Sequence, residues 1–214
     1  MIIAVDGPAA SGKGTLAKGL ARHYGLPHLD TGLLYRAVGR AVRAFEGTPD
    51  FDARAIAAAQ SLDTDDLDPL ILQGPGMGPM ASKVSTISGV REALYEFQRE
   101  FATRPDGAVL DGRDIGTVIA PDAAVKLFIV ADSRRRAERR GRQFERRGEP
   151  VDLDAIQASI EERDRRDRDN PHGGFYAAND AHLLDTTDLS IDGALRAAVA
   201  IVDGVMARKA GREP

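Results

Sequence analysis

The chain has no cysteine and no tryptophan among its 214 residues, and aromatic side chains make up only 5% of it. Without thiols there is no disulfide, no thiolate nucleophile and no thiolate metal site, a composition that suits a reducing compartment. No apolar run reaches the ~18 residues of a membrane-spanning helix, and the opening MIIAVDGP lacks the basic and long apolar stretches of a signal peptide. A soluble, cytoplasmic protein is expected. There is also no excess of positive charge: 29 basic residues against 33 acidic ones give a formal net charge of -4. No overall field draws the chain to nucleic acid or to an anionic membrane, so neither partner is expected. The length suits a single domain, expected to act as a monomer.

What is present alternates strand and helix. IIAVD at 2–6 is a short β-rich run stopped by Gly7 and Pro8. LPHLD at 26–30 precedes TGLLYRAVGRAVRAF, whose apolar spacing is helical and which Thr31 could cap. Residues 53–62 suggest a short helix, GVREALYEFQREFA an amphipathic one, and GAVLDG and AAVKLFIVAD two further strands. Two charged helical stretches follow at 133–148 and 152–169, then a strand in HLLDTT and a helix from about 190 to 208. The expected fold is α/β, three layers around a central, mostly parallel, five-stranded sheet. Residues 63–80, acidic and then rich in glycine and proline, show no sustained period and are expected to form a surface excursion or linker.

GPAASGKGTL at 7–16 stands between the first strand and the first helix, the context in which a G-x-x-x-x-G-K phosphate loop is meaningful. Gly7, Pro8, Ala9, Ala10, Ser11, Gly12, Lys13, Gly14 and Thr15 are therefore the candidate triphosphate cradle. Their backbone amides and the helix N-terminus would face phosphate oxygens while Lys13 adds positive charge. Most such loops place a magnesium-ligating hydroxyl directly after the lysine. Here Gly14 intervenes before Thr15, so magnesium is expected to be held mainly through the nucleotide and water, with no protein ligand assigned. The G-K-G-T order resembles that of nucleoside monophosphate kinases.

A kinase for a small acceptor needs a second anion site, because two polyanions must meet. Thr31 and Arg36, at the start of the second helix, could grip a phosphate or could merely cap and solvate. LDGRDIG at 110–116 leaves a parallel strand at its carboxyl end, which faces the ligand crevice in open α/β sheets. There Arg113 could bind phosphate, and a carboxylate could accept from a base amino group or order magnesium-bound water. Ser82 and Arg91 flank the irregular excursion and carry little by chemistry alone.

Between Ser133 and Gly148 lie eight arginines and two glutamates. Arg135, Arg139, Arg142 and Arg146 share one helical face, a cationic stripe that would repel itself unless anions visit. It could be a lid over the triphosphate, a solvated face paired with the acidic helix that follows, or a nucleic-acid surface, although only Phe144 could stack a base. Arg163, Asp167 and Asn170 likewise share a face of the next helix.

Taken together, GPAASGKGTLAK, LDTGLLYR, ASKVS with VREAL and FQR, LDGRDIGTVIAPDAAVKLFI, RAERR, ERDRRDRD and DAHLLDTTDLSID closely resemble the bacterial cytidylate kinase family, in order from about residue 2 to 192. The resemblance implies transfer of the γ-phosphoryl group of ATP to CMP or dCMP. It makes Thr31, Arg36, Arg113 and Arg163 the grip on the acceptor phosphate, Ser82, Arg91 and Asp114 the readers of cytosine, and Asp167 the holder of the sugar. The candidate catalytic cations are Lys13, Arg113, Arg139 and Arg163. It also implies a core of residues 1–36, 90–132 and 180–214, a monophosphate-binding region at about 37–89, and a lid with its following helix at about 133–170. Two departures stand out. Asn170 occupies a position where many relatives carry a sugar-contacting arginine and is followed by the atypical PHGGFYAAND, and the 63–80 excursion is shorter than the family's strand-bearing insert.

Overall fold

Five short apolar runs become β1 (Ile2–Asp6), β2 (His28–Asp30), β3 (Ala108–Gly112), β4 (Val125–Val130) and β5 (His182–Asp185) of one sheet, in the order β2-β3-β1-β4-β5. The computed structural model describes residues 1–63, 67–72, 74, 76–171 and 175–211. All four strand pairings are parallel. The expected five-stranded α/β sheet is thus the one found. Side chains alternate across it, as the pleat requires. Ile3, Val5 and Val109 face a core shared with α1 (Lys13–Tyr24) and α9 (Ile191–Ala210), whereas Ala4 and Leu110 face one closed by α6 (Ser88–Ala102).

A third apolar cluster contains no strand. Leu34 and Val38 of α2 (Thr31–Val42), Phe51 and Ala55 of α3 (Phe51–Gln60), Met80 and Val84 of α5 (Met77–Val84) and Leu94 of α6 pack together. The excursion is accordingly more than a surface linker. A single turn, α4 (Pro69–Leu72), buries Leu72, and α5 buries Met77 and Met80. Glycine and proline masked these helices in the sequence because both are poor helix formers, and burial against α2 overrides that propensity. Positions 64–66, 73 and 75 of the excursion lie outside the described residues.

The two charged stretches form α7 (Ser133–Glu145), which stops three residues short of the expected 148, and α8 (Leu153–Asp169), capped by Asp132 and Asp152 through their side chains. Between β3 and β4 the chain makes one turn of π-helix, Ile115–Ile119, which no periodicity announces. At the carboxyl end of β1, Gly7 has φ +150°, and a Cβ there would fall 2.2 Å from the carbonyl oxygen of Ile129 on β4. Only glycine lets the phosphate loop leave the sheet at this point.

Candidate active site

Parallel strands aim their carboxyl ends at one edge of the sheet, and three of them finish side by side. Asp30 of β2 stands opposite Asp111 of β3, and Asp6 of β1 opposite Gly112. The phosphate loop, α2 and the Asp111–Gly116 turn all begin there, around a cleft of about 580 Å³.

Its donor side is the loop itself. Ala9, Ala10, Gly12, Lys13, Gly14 and Thr15 line the cleft, while Gly7, Pro8 and Ser11 are buried behind them. The first turn of α1 has neither a side-chain cap nor an acidic residue, so its amide dipoles are left for an anion. Ala10 is held at φ +58°, a left-handed conformation that costs a non-glycine residue about 1–2 kcal/mol. Such strain is often kept where a ligand needs the backbone. Lys13 Nζ donates to the carbonyl of Pro8 at 3.3 Å. Burial, followed by the neighbouring Arg113 guanidinium, pulls the lysine down to about 7. A Cβ at Gly14 would meet Asp111 Oδ2 in an ordinary contact at 3.5 Å, so packing does not demand glycine here, and Asp111 Oδ1 is held by His28 Nε2 at 2.7 Å.

Opposite the loop, the acceptor candidates line the same cleft: Thr31, Arg36, Ser82, Arg91, Arg113, Asp114, Arg163 and Asp167. They are already linked. Asp167 accepts from Ser82 Oγ through Oδ1 and from Arg113 Nε through Oδ2, both at 2.8 Å, and Arg91 pairs with Asp114. Burial alone would raise Asp167, but Arg113 and Arg163 outweigh it and hold the carboxyl below its usual range. Thr31 does not cap α2 with its side chain. Its Oγ1 donates to the carbonyl of Asp111 at 2.9 Å, tying α2 to β3. Arg36 lies 3.8 Å from Asp30, a loose pairing. The buried Nε of Arg163 makes no hydrogen bond and faces Asp167 Oδ2 at 3.8 Å, and burial followed by Arg113 lowers the guanidinium to about 9. Asn170 lines the cleft and donates to the carbonyl of Ser85 at 3.0 Å. Of the atypical stretch after it, residues 172–174 lie outside the described residues, and Phe175 sits with its ring 5.8 Å from the Arg113 guanidinium.

The lid's arginines divide by function in packing. Arg135 pairs with Glu138 and Asp188, so the stripe is relieved by carboxylates as well as by the loop. Arg139 donates to the carbonyl of Ser11 and to Thr186 Oγ1, both at 3.1 Å, and to the Thr186 carbonyl. Its neighbour Arg140 lines the cleft instead, and burial first, then the nearby Arg36 guanidinium, weaken its hold on a proton. Arg140 was hidden in the sequence because one residue along a helix is a turn of about 100°, and only packing tells which of two adjacent arginines faces inward. A second unread feature is Asp164. Its Oδ1 accepts from the amide of Ala9 at 3.2 Å and its Oδ2 pairs with Arg136, which in turn donates to the carbonyl of Ala9 at 3.2 Å. Helices α7 and α8 thereby hold both backbone polar groups of Ala9 in the phosphate loop.

Among the described residues no group of three His, Cys, Asp or Glu side chains is arranged to hold a metal ion. Asp30 and Asp111 supply hard oxygens beside Lys13, and burial, followed by the neighbouring Asp111, raises the Asp30 carboxyl. That donor set fits magnesium arriving with a nucleotide and keeping most of its waters. Also among the described residues, no helix is long and apolar enough to cross a membrane.

The family profile for cytidylate kinase matches residues 3–203. A cytidylate kinase of Rhodopseudomonas palustris (strain BisA53) is 54% identical over 207 residues, covering 97% of this chain and 98% of that protein. One from Afipia carboxidovorans is 51% identical over 209 residues, covering 98% and 100%. Among solved structures, a gluconokinase from Sinorhizobium meliloti 1021 shares the fold, with a TM-score of 0.52 at 16% identity over 100% of this chain and 97% of its own. An uncharacterized protein from Eubacterium ventriosum does so with a TM-score of 0.54 at 18% identity, over 95% and 98%. With a phosphate-loop motif, a cleft lined by the LDGRDIG turn and α8, and this likeness along nearly its whole length, the chain belongs to the cytidylate kinase family.

Proposed function

We infer that the protein transfers the γ-phosphoryl group of ATP to CMP and dCMP, giving ADP with CDP or dCDP. The observation that carries this reading is the acceptor wall. Arg36, Arg113 and Arg163 converge opposite the phosphate loop, with the Nε of Arg163 making no hydrogen bond and only a long ion contact of 3.8 Å to Asp167. A dianionic monophosphate satisfies that donor and balances charge that Asp30 and Asp167 leave over.

In the bound state a phosphate oxygen of CMP attacks the γ-phosphorus, and the bond to the β-phosphate oxygen breaks, leaving ADP. The attacking oxygen is already ionised, so no general base is required. Lys13 and the α1 amides hold the donor phosphates, and Arg36, Arg113 and Arg163 hold and orient the acceptor. Arg140, on the lid, adds charge between the two. Magnesium, when bound with the nucleotide, shields its phosphates from the incoming one, and Asp30 and Asp111 are placed to accept hydrogen bonds from its waters. Cytosine offers an amino donor to Asp114 and N3 and O2 acceptors to Arg91 and Ser82. Uracil would turn a carbonyl toward Asp114 and leave that carboxylate facing a like partial charge. We read the chain as one domain, with a monophosphate region at about 37–89 and a lid at about 133–170 that excludes water on closing.

A panel of CMP, dCMP, UMP and AMP with ATP and magnesium tests the reading. CMP and dCMP should be phosphorylated, and UMP should be poorer in kcat/KM by about tenfold or more, the cost of an unmatched hydrogen bond at a charged group. Failure to form CDP would defeat it. Arg113→Ala should raise the KM for CMP by about 10–100-fold, from about 1.5–3 kcal/mol for a charged hydrogen bond, and should leave the KM for ATP nearly unchanged. Equal use of low CMP by the variant would remove Arg113 from the grip.

A further inference from the structure

Asp6, the last residue of β1, touches neither the donor nor the acceptor wall, yet it is a carboxylate only 5% exposed. Oδ1 accepts from the amide of Ile115 at 2.9 Å, and Oδ2 accepts from the amide of Gly116 at 2.8 Å. These amides open the π-helical turn Ile115–Ile119, and the first amides of any helical turn have no partner within it. The partner here comes from another strand. The register that places Asp6 opposite Gly112 lets its side chain arch over the end of β3 to the turn beyond.

The residues just before those amides are Arg113 and Asp114, which the turn aims at Asp167 and Arg91. The bond geometry leaves little slack. A Cβ on Gly116 would press on Lys126 Cδ at 3.1 Å and touch Asp6 Oδ2 at 3.4 Å, so the turn packs between the Lys126 side chain and the carboxylate. Holding that carboxylate in the interior is costly. Burial pushes it up to about 7, Asp114 pushes the same way, and only the two amides and Lys13 resist. An apolar residue would suit β1 better if packing were the sole need.

We propose that Asp6 is a positioning residue for the acceptor site, fixing through the Ile115 and Gly116 amides the direction in which Arg113 and Asp114 face the monophosphate. The proposal rests on the reading of this cleft as the CMP site. Asp6→Asn keeps the size of the side chain but can accept through only one of its two end atoms, so one amide is left without its acceptor and the turn is free to move.

Calorimetric titration of the full chain with CMP, and separately with magnesium and a non-hydrolysable ATP analogue, distinguishes the possibilities. Asp6→Asn should weaken CMP binding by about tenfold, the loss of one buried bond to a charged acceptor, while affinity for the ATP analogue changes less than about twofold. A side chain that merely stabilises the fold would weaken both ligands alike or neither, and either result in a folded variant overturns the proposal. Should Asp6→Asn not fold, Gly116→Ala displaces the turn itself with Asp6 intact, because the new Cβ would press on Lys126 Cδ at 3.1 Å beside the Asp6 carboxylate. It should show the same selective loss, and unchanged CMP binding would again overturn it. If the unaltered protein does not bind CMP, the functional reading fails and the proposal with it. Normal binding there with an unchanged variant defeats the proposal alone.

Discussion

Lys13→Ala should lower kcat by about 10²–10³-fold or more with the fold intact, the scale on which loss of one preorganised donor to a developing charge is felt. The side chain lies at the mouth of α1 and its hydrogen bond is one long contact of 3.3 Å to the carbonyl of Pro8, so removing it costs the fold little. The melting temperature is therefore expected to hold while transfer collapses, and an unchanged kcat would take Lys13 out of the mechanism. The lysine has a second signature. In the ligand-free protein, burial and Arg113 bring it to about 7, so at pH 8 it is largely neutral. Triphosphate oxygens favour the ammonium and raise that value again, so ATP binding at pH 8 should draw in close to one proton, about 0.9 if the bound lysine is fully charged. Titration in two buffers of different ionisation enthalpy measures this uptake, and Lys13→Ala should abolish it.

The largest loss of stability is expected at the clasp between lid and loop. Asp164→Ala strands the Arg136 guanidinium, buried with only 8% of its side chain exposed, and removes the acceptor of the Ala9 amide. Breaking a buried pair in this way costs about 3–5 kcal/mol, which for a chain of this size is about 10 °C in melting temperature. Arg136→Met combined with Asp164→Leu should recover part of the loss, because it removes both charges together. The double variant should still bind ATP poorly, since Ala9 then has neither its donor nor its acceptor partner. If Asp164→Ala melts within about 2 °C of the unaltered protein, the pair is not the clasp that its burial implies.

Much of this arrangement was legible before any coordinates. IIAVD, GAVLDG and AAVKLFIVAD are short, apolar and bounded by turn residues, and such runs have few alternatives to a buried parallel strand. Gly12 and Lys13 after the first of them fix the loop, and once the sheet is parallel its carboxyl edge must carry the ligand residues. What stayed hidden depends on long-range contacts. Asp164 lies in a run of alternating charges that looks like a solvated helix face, and nothing local distinguishes it from Glu162, which is exposed and pairs with Arg166. Asp6 looks like the ordinary end of a strand, because the amides it serves are 109 and 110 residues away. The π-turn after Asp114 follows from no period at all. Helix α5 was obscured because MGPMASKV contains residues that disfavour helix, and its stability comes from Met77, Met80 and Val84 packing on α2. Of the acceptor residues, the sequence supplied the identities and the resemblance supplied the roles. The linking bonds from Ser82 through Asp167 to Arg113 came only from the fold.

Gly7 carries a consequence for how signatures of this kind decay. Its missing Cβ makes room for the carbonyl of Ile129 on the neighbouring strand, 2.2 Å from where that atom would be, a demand of the sheet that holds whether or not a phosphate is bound. The first glycine of the loop is therefore owed to the sheet, and Lys13 to the chemistry. A descendant that lost its catalysis would be free to replace Lys13 at little cost to folding, yet would still be bound to glycine at position 7. Half of the signature would survive in such a pseudoenzyme as a fossil of architecture, and finding it there would say nothing about whether a nucleotide still binds.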